Sequence, residues 1–301
     1  MDLRPLETLR AVRAHGGVTA AAVVLHLTPS AVSQQLAALQ REMGVPLTKR
    51  EGRGLRLTPA GEALADAAVD VAVAVERARA ACTSFLDRPH GTVSVSAFQS
   101  GAQLLLPGLL TRVQALGGID LQCSEEDVAQ GDFPALTERL DVVVAHRPDG
   151  DPGWGGAGSP VRAVPLLREP LDVAVPVGHR LAERDAVRPD DVAGEEWIMV
   201  RKGFPVAAVL DAVAVHAGRA PRVVQRLNDF HVVAAFVAAG HGVSFLPRHT
   251  GGSHPGVRLV PLAGVAAGRR IDALMRPDRA ERLVVRRVVD ELVAVAREVT
   301  G

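Results

Sequence analysis

Short polar side chains recur on one face of a helix that is predicted to begin at Thr28-Pro29. Threonine is a favourable N-cap, and proline suits the first helical position. One face is apolar at helical spacing, with Ala31, Val32, Leu36, Leu39 and Met43. The opposite face carries Ser30, Ser33, Gln34 and Gln35. Hydroxyl and amide groups can hydrogen-bond base edges in a major groove, so the start of this helix is a candidate surface for contact with DNA.

Basic residues crowd into the segment after this helix, at Lys49, Arg50, Arg53 and Arg56. Two glycines, Gly52 and Gly54, frame Arg53 as at the tip of a hairpin. The whole chain is neutral, with 34 basic and 34 acidic residues, but residues 1–58 carry eight basic against four acidic residues. A basic wing beside a helix-turn-helix suits phosphate contact. A solvated basic loop would look the same, so charge alone does not decide.

A second set of candidates lies at the ends of strands predicted in the C-terminal half. Ligands in α/β sheets bind where strands end and helices begin. The candidates are Gln99, Ser100, Glu126, Arg147, Lys202, Phe204 and Asn228. Helices predicted to start near Gly101 and Phe230 would add positive dipole ends, which favours a carboxylate-bearing ligand. The acids Glu125, Glu126 and Asp127 leave an amine or an amino acid open as the ligand.

A long helix is predicted between these two regions, from Pro59 to about Asp87. Apolar residues alternate at spacings of four and three, at Leu64, Ala68, Val71, Val75, Ala78, Cys82 and Phe85. Such a heptad seam needs a partner, and a second copy of the chain is the favoured one. Packing of the seam on the chain's own C-terminal half is the alternative.

The C-terminal half alternates strands with helices. Strands are predicted at 92–96, 119–123, 141–145, 171–175, 197–200, 222–227, 243–246 and 271–275, and helices at 104–116, 206–217, 231–239 and beyond 284. Repeated strand–helix–strand units predict parallel sheets covered by helices.

Residues 16–64 resemble the DNA-binding domain of LysR-type transcriptional regulators. The resemblance rests on Ala21-Ala22 with Leu25, on 28–36, on Leu39 with 44–47, on Arg50 and on 57–61. Thr48 stands where the family usually has an aromatic residue, and Gln40 where it usually has an acid. Losing the aromatic side chain would thin the packing between wing and helices.

The C-terminal half resembles the effector domain of the same family. Matching segments include Leu106-Pro107, 170–176, 178–182 and 237–243. The resemblance implies a multidomain protein with a mostly α winged helix-turn-helix at 1–58, a long linker helix and hinge at 59–88, and a two-lobed α/β effector domain at 89–301, similar to periplasmic binding proteins. Lobe one would comprise 91–160 and 267–301, and lobe two 161–266. Ser100 matches the family's pocket residue best, ahead of Arg147, Lys202 and Asn228.

The expected function is therefore a DNA-binding transcriptional regulator whose activity a small-molecule effector modulates. Its expected partners are double-stranded DNA, the effector and further copies in a homodimer or homotetramer. The alternative is a small-molecule binding protein or enzyme with an incidental helical N-terminus. The glycine-rich segment 153–158 adjoins no predicted strand, so it does not fit a dinucleotide-binding turn. No catalytic motif is recognised, and no enzyme activity is expected.

Other classes of protein are disfavoured by composition. No apolar run is long enough to span a membrane and no signal core opens the chain, so a cytoplasmic protein without a membrane partner is expected. The two cysteines, Cys82 and Cys123, lie far apart in the sequence. This separation favours the interpretation that each cysteine is a small buried side chain, rather than part of a redox switch, a disulfide or a metal site. No cofactor is expected.

Overall fold

The N-terminal head, residues 2–58, is a helix-turn-helix with a two-stranded wing. A computed structural model of the protein describes residues 2–52, 54–83, 89–154, 159–251 and 254–300. The head contains α1 (Leu3–His15), α2 (Val18–Val24), α3 (Pro29–Met43), β1 (Thr48–Glu51) and β2 (Gly54–Leu57). Leu9, Val12, Val32 and Leu39 are buried at the centre of its core. The predicted apolar face of α3 is confirmed, because Val32, Leu36 and Leu39 are all buried.

Local hydrogen bonds explain where the helices of the head begin and end. The Thr28 hydroxyl accepts from the Ala31 amide at 3.1 Å and caps α3, as its sequence predicts. Gly16 and Gly44 end α1 and α3 in the left-handed conformation, which costs glycine little. His26 also has a positive φ, 52°, in the predicted turn between α2 and α3.

Helix α4 (Pro59–Thr83) leaves the head directly after the wing. The Thr58 hydroxyl accepts from the Gly61 amide at 3.1 Å and donates to the Pro46 carbonyl at 2.7 Å. A Cβ atom on Gly61 would lie 2.0 Å from the Leu47 carbonyl oxygen. A glycine is therefore required where α4 passes the Leu47 carbonyl, because any side chain would collide with backbone.

The seam of α4 is divided between two environments. Its first part, Leu64, Ala68 and Val71, packs on the core of the head. Val75 lines a groove beside α1, whereas Ala78 and Cys82 are exposed. Phe85 lies outside the described residues. Arg77 of α4 also pairs with Glu281 at 3.2 Å, so part of the helix packs on its own C-terminal half.

The C-terminal half is an α/β domain. Its elements are β3 (Gly91–Ala97), α5 (Gln99–Leu116), β4 (Ile119–Glu125), α6 (Phe133–Leu136), β5 (Val142–Pro148), β6 (Arg162–Pro176), α7 (Pro189–Val192), β7 (Glu196–Met199), α8 (Ala207–Ala217), β8 (Arg222–Arg226), α9 (Phe230–Ala238), β9 (Ser244–Pro247), β10 (Val257–Val260), β11 (Gly268–Met275) and α10 (Leu283–Thr300). Most predicted elements are present. Strand β10, the first half of β6 and the short helices α6 and α7 were not predicted.

One mixed sheet runs through both lobes, in the order β10-β6-β11-β5-β3-β4, with β9 also paired to β6. Strand β3 is parallel to β4 and β5, and β7 is parallel to β8. However, β11 is antiparallel to β5 and β6, and β9 and β10 are antiparallel to β6. The prediction of parallel sheets is therefore wrong for the strands that connect the lobes. Periodicity reports burial and not strand direction, so it could not distinguish them.

Strand β6 joins the two lobes. Its residues 162–170 pair with β11, and its residues 171–176 pair with β9 and β10. The first part packs on a core that contains Leu109, Val144 and Val288, and the second on a core that contains Trp197 and Phe245. The strand partners thus change between Pro170 and Leu171, whereas the sequence suggests a passage near Pro160.

The exposure of the two cysteines and the polarity of the helices bear on two expectations from the sequence. Cys82 and Cys123 are both exposed, so the expectation that they are buried is wrong. Within the described part of the chain, no helix is long and apolar enough to cross a membrane.

Candidate nucleic-acid interface and ligand cleft

The start of α3 presents small polar groups to solvent. Thr28, Pro29, Ser30, Ser33 and Gln34 are all exposed. The Thr28 hydroxyl uses its oxygen to cap the helix, and the Ser33 hydroxyl donates to the Pro29 carbonyl at 2.9 Å. Ser30 and Gln34 extend this polar face by one helical turn. The face offers both donors and acceptors, as base-edge contact requires.

Two other glutamines of α3 serve the fold of the head. Gln35 is half-buried and its side-chain oxygen accepts a short hydrogen bond from the Thr8 hydroxyl of α1. The prediction that Gln35 belongs to the outward face is therefore wrong. The Gln40 side-chain oxygen accepts from the Leu47 amide at 3.0 Å. An amide oxygen thus takes the place of the acid usual in the resembled family, and it ties α3 to the start of the wing.

The wing places its basic residues on both sides of a hairpin. Lys49 lies opposite Arg56, and Arg50 lies opposite Leu55. All three basic side chains are exposed, although Arg56 pairs with Glu51 at 2.8 Å. Arg50 also borders a groove of about 640 Å³ between the wing and the start of α2. Arg53, predicted at the tip, lies outside the described residues.

The candidate ligand cleft lies where α5 of lobe one faces α9 of lobe two. The Gln99 amide of α5 donates to an oxygen of Asp229 at 2.9 Å, across the two lobes. Asp229 also caps α9, because its other oxygen accepts from the His231 and Val232 amides. The hydrogen bond from Gln99 and those from the backbone amides lower the pKa of the Asp229 carboxyl. The carboxylate therefore stays ionised and holds the lobes together.

Arg269 forms the floor of this cleft. Its side chain is 1% exposed and donates twice to one oxygen of Glu169, at 2.9 and 2.6 Å. It also donates to the Ser100 hydroxyl oxygen at 2.7 Å and lies 4.7 Å from the centre of the Phe98 ring. Because Ser100 accepts from Arg269, its own proton remains free to be donated into the cleft. The other oxygen of Glu169 has no hydrogen-bond partner among the described residues.

The cleft is nearly closed in this structure. The space beside Arg269 measures about 20 Å³, enough for a single water molecule. Its lining includes Gln99, Ser100, Asp127, Phe204 and Asn228. A larger cavity of about 230 Å³ shares Gln99, Ser100 and Phe230 with it and continues to Gln103, His231 and His254. The two cavities together form what we call the interlobe cleft.

Two titratable groups of the interlobe cleft have perturbed pKa values. Burial, and then the charge of Arg269, hold the pKa of His146 well below 6.5, so this ring is neutral at neutral pH. The ring packs 4.2 Å from the centre of the Phe98 ring. Partial removal from solvent and the charge of Glu125 raise the pKa of Asp127, while Arg269 opposes them.

Four predicted cleft residues come together, and three do not. Gln99, Ser100, Phe204 and Asn228 line the interlobe cleft. Glu126 instead accepts from Arg139 at 2.5 Å, and Lys202 is exposed outside the cleft lining. Arg147 donates to Asp272 at 2.8 Å and to the Asp151 carbonyl at 2.7 Å. These three residues do not line the interlobe cleft in this structure, because Glu126 and Arg147 are paired with other groups and Lys202 faces solvent. Their contact with an effector stays a prediction.

Arg269 is the main residue that the sequence prediction missed. It lies at the start of β11 beside Arg270, before an apolar run, with no local sign of burial. Only the pairing of β11 with β6 brings it to Glu169. Elsewhere among the described residues, no group of three or more histidine, cysteine or acidic side chains could hold a metal ion.

The chain combines a helix with a polar, exposed start, a basic wing beside it, a long connecting helix and two lobes around a cleft. This combination defines a DNA-binding regulator with a ligand domain. Two family models match the chain. The "Bacterial regulatory helix-turn-helix protein, lysR family" model matches residues 3–62, and the "LysR substrate binding domain" model matches residues 86–297. The chain therefore belongs to the LysR family of transcriptional regulators, and it is a DNA-binding regulator with a substrate-binding effector domain.

Individual relatives agree with this assignment. The chain is 28% identical over 253 residues to the transcriptional dual regulator GltC of Bacillus subtilis, covering 83% of this chain and 82% of that protein. It is 29% identical to the regulator MetR of Salmonella typhimurium, covering 82% and 75%. Full-length OxyR of Pseudomonas aeruginosa has the same fold, with a TM-score of 0.67 at 21% identity over 99% of this chain and 98% of that one.

Proposed function

We propose that the protein reads a specific double-stranded DNA site with the start of α3 and contacts the flanking phosphates with the wing. The exposed polar face of α3 and the exposed basic side chains of the neighbouring hairpin support this division of roles. Base-edge contacts carry sequence information, whereas phosphate contacts carry affinity. The proposed DNA contacts are Thr28, Pro29, Ser30, Ser33, Gln34, Lys49, Arg50 and Arg53.

The DNA-binding form is proposed to be a homodimer, which can pair further into a homotetramer. The half of the α4 seam that does not pack on the head supports this, since Val75 borders an open groove and Ala78 is exposed. Paired recognition helices would read paired half-sites. CbnR, a fold relative with a TM-score of 0.53 at 21% identity, covering 98% of this chain and all of that one, has been solved with its target DNA.

The effector is proposed to be a small molecule that bears a carboxylate and binds in the interlobe cleft. One observation carries this proposal: Ser100 accepts from Arg269, so its proton is free for an acceptor on the ligand. Asn228 accepts from the Arg201 amide at 2.9 Å and keeps its own amide protons free. The first turns of α5 and α9 face the cleft and favour an anion. Asp127 on the lining would accept from a hydroxyl or ammonium group of the same ligand, so amino acids belong to the proposed class.

Entry of the effector into the small space beside Arg269 requires the lobes to separate. A space of about 20 Å³ beside Ser100 cannot hold a carboxylate ligand, and the Gln99–Asp229 hydrogen bond spans the opening. Binding therefore replaces this bond with contacts to the ligand, which would change the angle between the lobes. Such hinge motion is a common way for ligand domains to signal.

Calorimetry of the full-length protein with panels of carboxylates, amino acids and amines tests the proposed effector class. We expect a carboxylate or an amino acid to bind, and Ser100→Ala to weaken its binding by roughly tenfold to a hundredfold, since one hydrogen bond to a charged group is worth about 1.5–3 kcal/mol. Ser124→Ala is the matched control, because that serine is exposed on β4 outside the cleft.

Binding of amines only, with Ser100→Ala unchanged, would contradict the proposed ligand class. The DNA-binding proposal does not depend on this result, because it is tested separately with operator DNA and no effector.

A further inference from the structure

A cavity of about 430 Å³ lies between the N-terminal head and lobe one. We call it the interdomain cavity. Helix α1 supplies Glu7, Arg10 and His15, and lobe one supplies Glu138, Arg276 and Arg279. The interdomain cavity is separate from the interlobe cleft and from the wing, since it shares no lining residue with the cavities at either place. Neither DNA contact nor the proposed effector site uses it.

The arginines of the interdomain cavity are unequally paired. Arg276 donates to both oxygens of Asp278, at 2.9 and 2.5 Å, and to Glu138 at 3.3 Å. Arg10 reaches only one oxygen of Asp278, at 3.9 Å, although its side chain is just 11% exposed. A distance of 3.9 Å is too long for a hydrogen bond. Arg10 therefore faces the cavity as a largely buried guanidinium whose donors have poor acceptors among the described residues.

Arg279 is the second under-compensated cation. Its guanidinium donates to the Glu138 carbonyl at 3.0 Å and lies 3.5 Å from Asp141, which Arg282 already engages at 2.7 Å. Burial and the charge of Arg276 lower the pKa of both Arg10 and Arg279. The acids that act on Arg10, namely Asp278, Glu138 and Glu7, do not offset this effect. An added anion between Arg10 and Arg279 would offset the lowering of both pKa values.

We propose that the interdomain cavity binds a small multivalent anion of the phosphate class. Guanidinium groups match phosphate oxygens with paired hydrogen bonds, and Arg10, Arg276 and Arg279 approach the cavity from two domains. The volume is sufficient for pyrophosphate. Because its walls belong to the head and to lobe one, the bound anion joins them and stabilises their relative orientation. The site thus links the DNA-binding head to the effector domain without using the interlobe cleft.

Pyrophosphate binding to the full-length protein, measured by calorimetry without DNA, tests the proposal. We expect one site per chain, and Arg10→Gln and Arg279→Gln should each weaken binding by about tenfold, since each removes charge-assisted hydrogen bonds. Arg258→Gln is the matched control, because Arg258 is exposed on β10 in lobe two. If Arg10→Gln does not fold, Arg139→Gln replaces it, since Arg139 lines the same cavity but is 53% exposed.

The wing is the competing anion site, and one variant separates the two. The double variant Lys49→Gln, Arg50→Gln should keep pyrophosphate binding and lose DNA affinity. Pyrophosphate affinity that is lost in this double variant and retained in Arg10→Gln and Arg279→Gln would overturn the proposal, as would the absence of binding to the unmodified protein. Neither outcome bears on the effector, which is tested at Ser100.

Discussion

At the scale of the residue, three glutamines on one helix have three different roles. Gln34 is exposed, Gln35 accepts from Thr8, and Gln40 accepts from the Leu47 amide. Their side chains leave α3 in different directions, because each residue turns the helix by about 100°. Only Gln34 can therefore reach a base edge, while the other two hold the helix in place.

The change Gln34→Ala should relax base preference at one position of the DNA site. The expected loss is about 1–3 kcal/mol against the preferred base and almost nothing against others, since a bidentate amide contact is removed. Footprinting on a set of operator variants measures this loss. Gln35→Ala is the control: it should lower the free energy of unfolding in urea and leave base preference intact. Unaltered base preference in Gln34→Ala would remove this residue from the proposed DNA contacts.

At the scale of the element, α4 changes its packing partners along its length. Val71 packs on the head, whereas Val75 borders a groove and Ala78 is exposed. A charge at Val71 would therefore damage the head itself, as well as any dimer, so it cannot test dimerisation cleanly.

The double change Val75→Asp, Ala78→Asp should give monomers with a folded head. Two carboxylates in an apolar seam cannot be solvated when a partner helix covers them. Sedimentation measures the oligomeric state, and far-ultraviolet circular dichroism reports whether the head is folded. Val73→Asp is the control, since it places one charge on the opposite face of α4 and should leave the dimer intact. Unmodified protein that stays monomeric at micromolar concentration and still binds its operator tightly would contradict the proposed dimer.

At the scale of the whole molecule, the side-chain hydrogen bond between Gln99 and Asp229 spans the two lobes, as does a longer backbone bond from the Gln130 amide to the Gly203 carbonyl at 3.4 Å. The pKa of Asp229 is lowered, first by the bond from Gln99, so the closed arrangement is favoured wherever the carboxylate is ionised. Its contribution is fully present above the ordinary aspartate pKa of 3.8 and is lost as the pH falls through the lowered value.

The closed lobes should therefore persist in the unmodified protein down to about pH 4, because Asp229 remains ionised there. Gln99→Ala should open the lobes already at pH 7, because it removes the donor. Small-angle X-ray scattering measures this as a larger radius of gyration. Gln103→Ala serves as the control, since its side chain lines the neighbouring cavity without spanning the lobes. Identical scattering from Gln99→Ala and the unmodified protein at pH 7 would show that other contacts keep the lobes closed.

The head and most of the longer helices and strands could be predicted from the sequence alone. Thr28 and Thr58 act on backbone amides within one helical turn, and Val32, Leu36 and Leu39 repeat at helical spacing. Both signals depend only on residues that are close in the sequence, so they can be recognised without knowledge of the fold. Ser100 and Asn228 could be placed at the cleft for a related reason, since strand ends and helix starts are local features. Their contact with an effector stays a prediction.

Only the tertiary structure decided which charges face the interlobe cleft. Arg147, predicted to follow a strand at 141–145, lies within β5 and pairs with Asp272 on the antiparallel neighbour β11. Arg269 on the same strand reaches Ser100 and Glu169, which lie 169 and 100 residues away along the chain. Strand direction and register bring these groups together, and neither leaves a periodic mark in the sequence. A buried charge must find its partner across the fold, so its position depends on the pairing of distant strands.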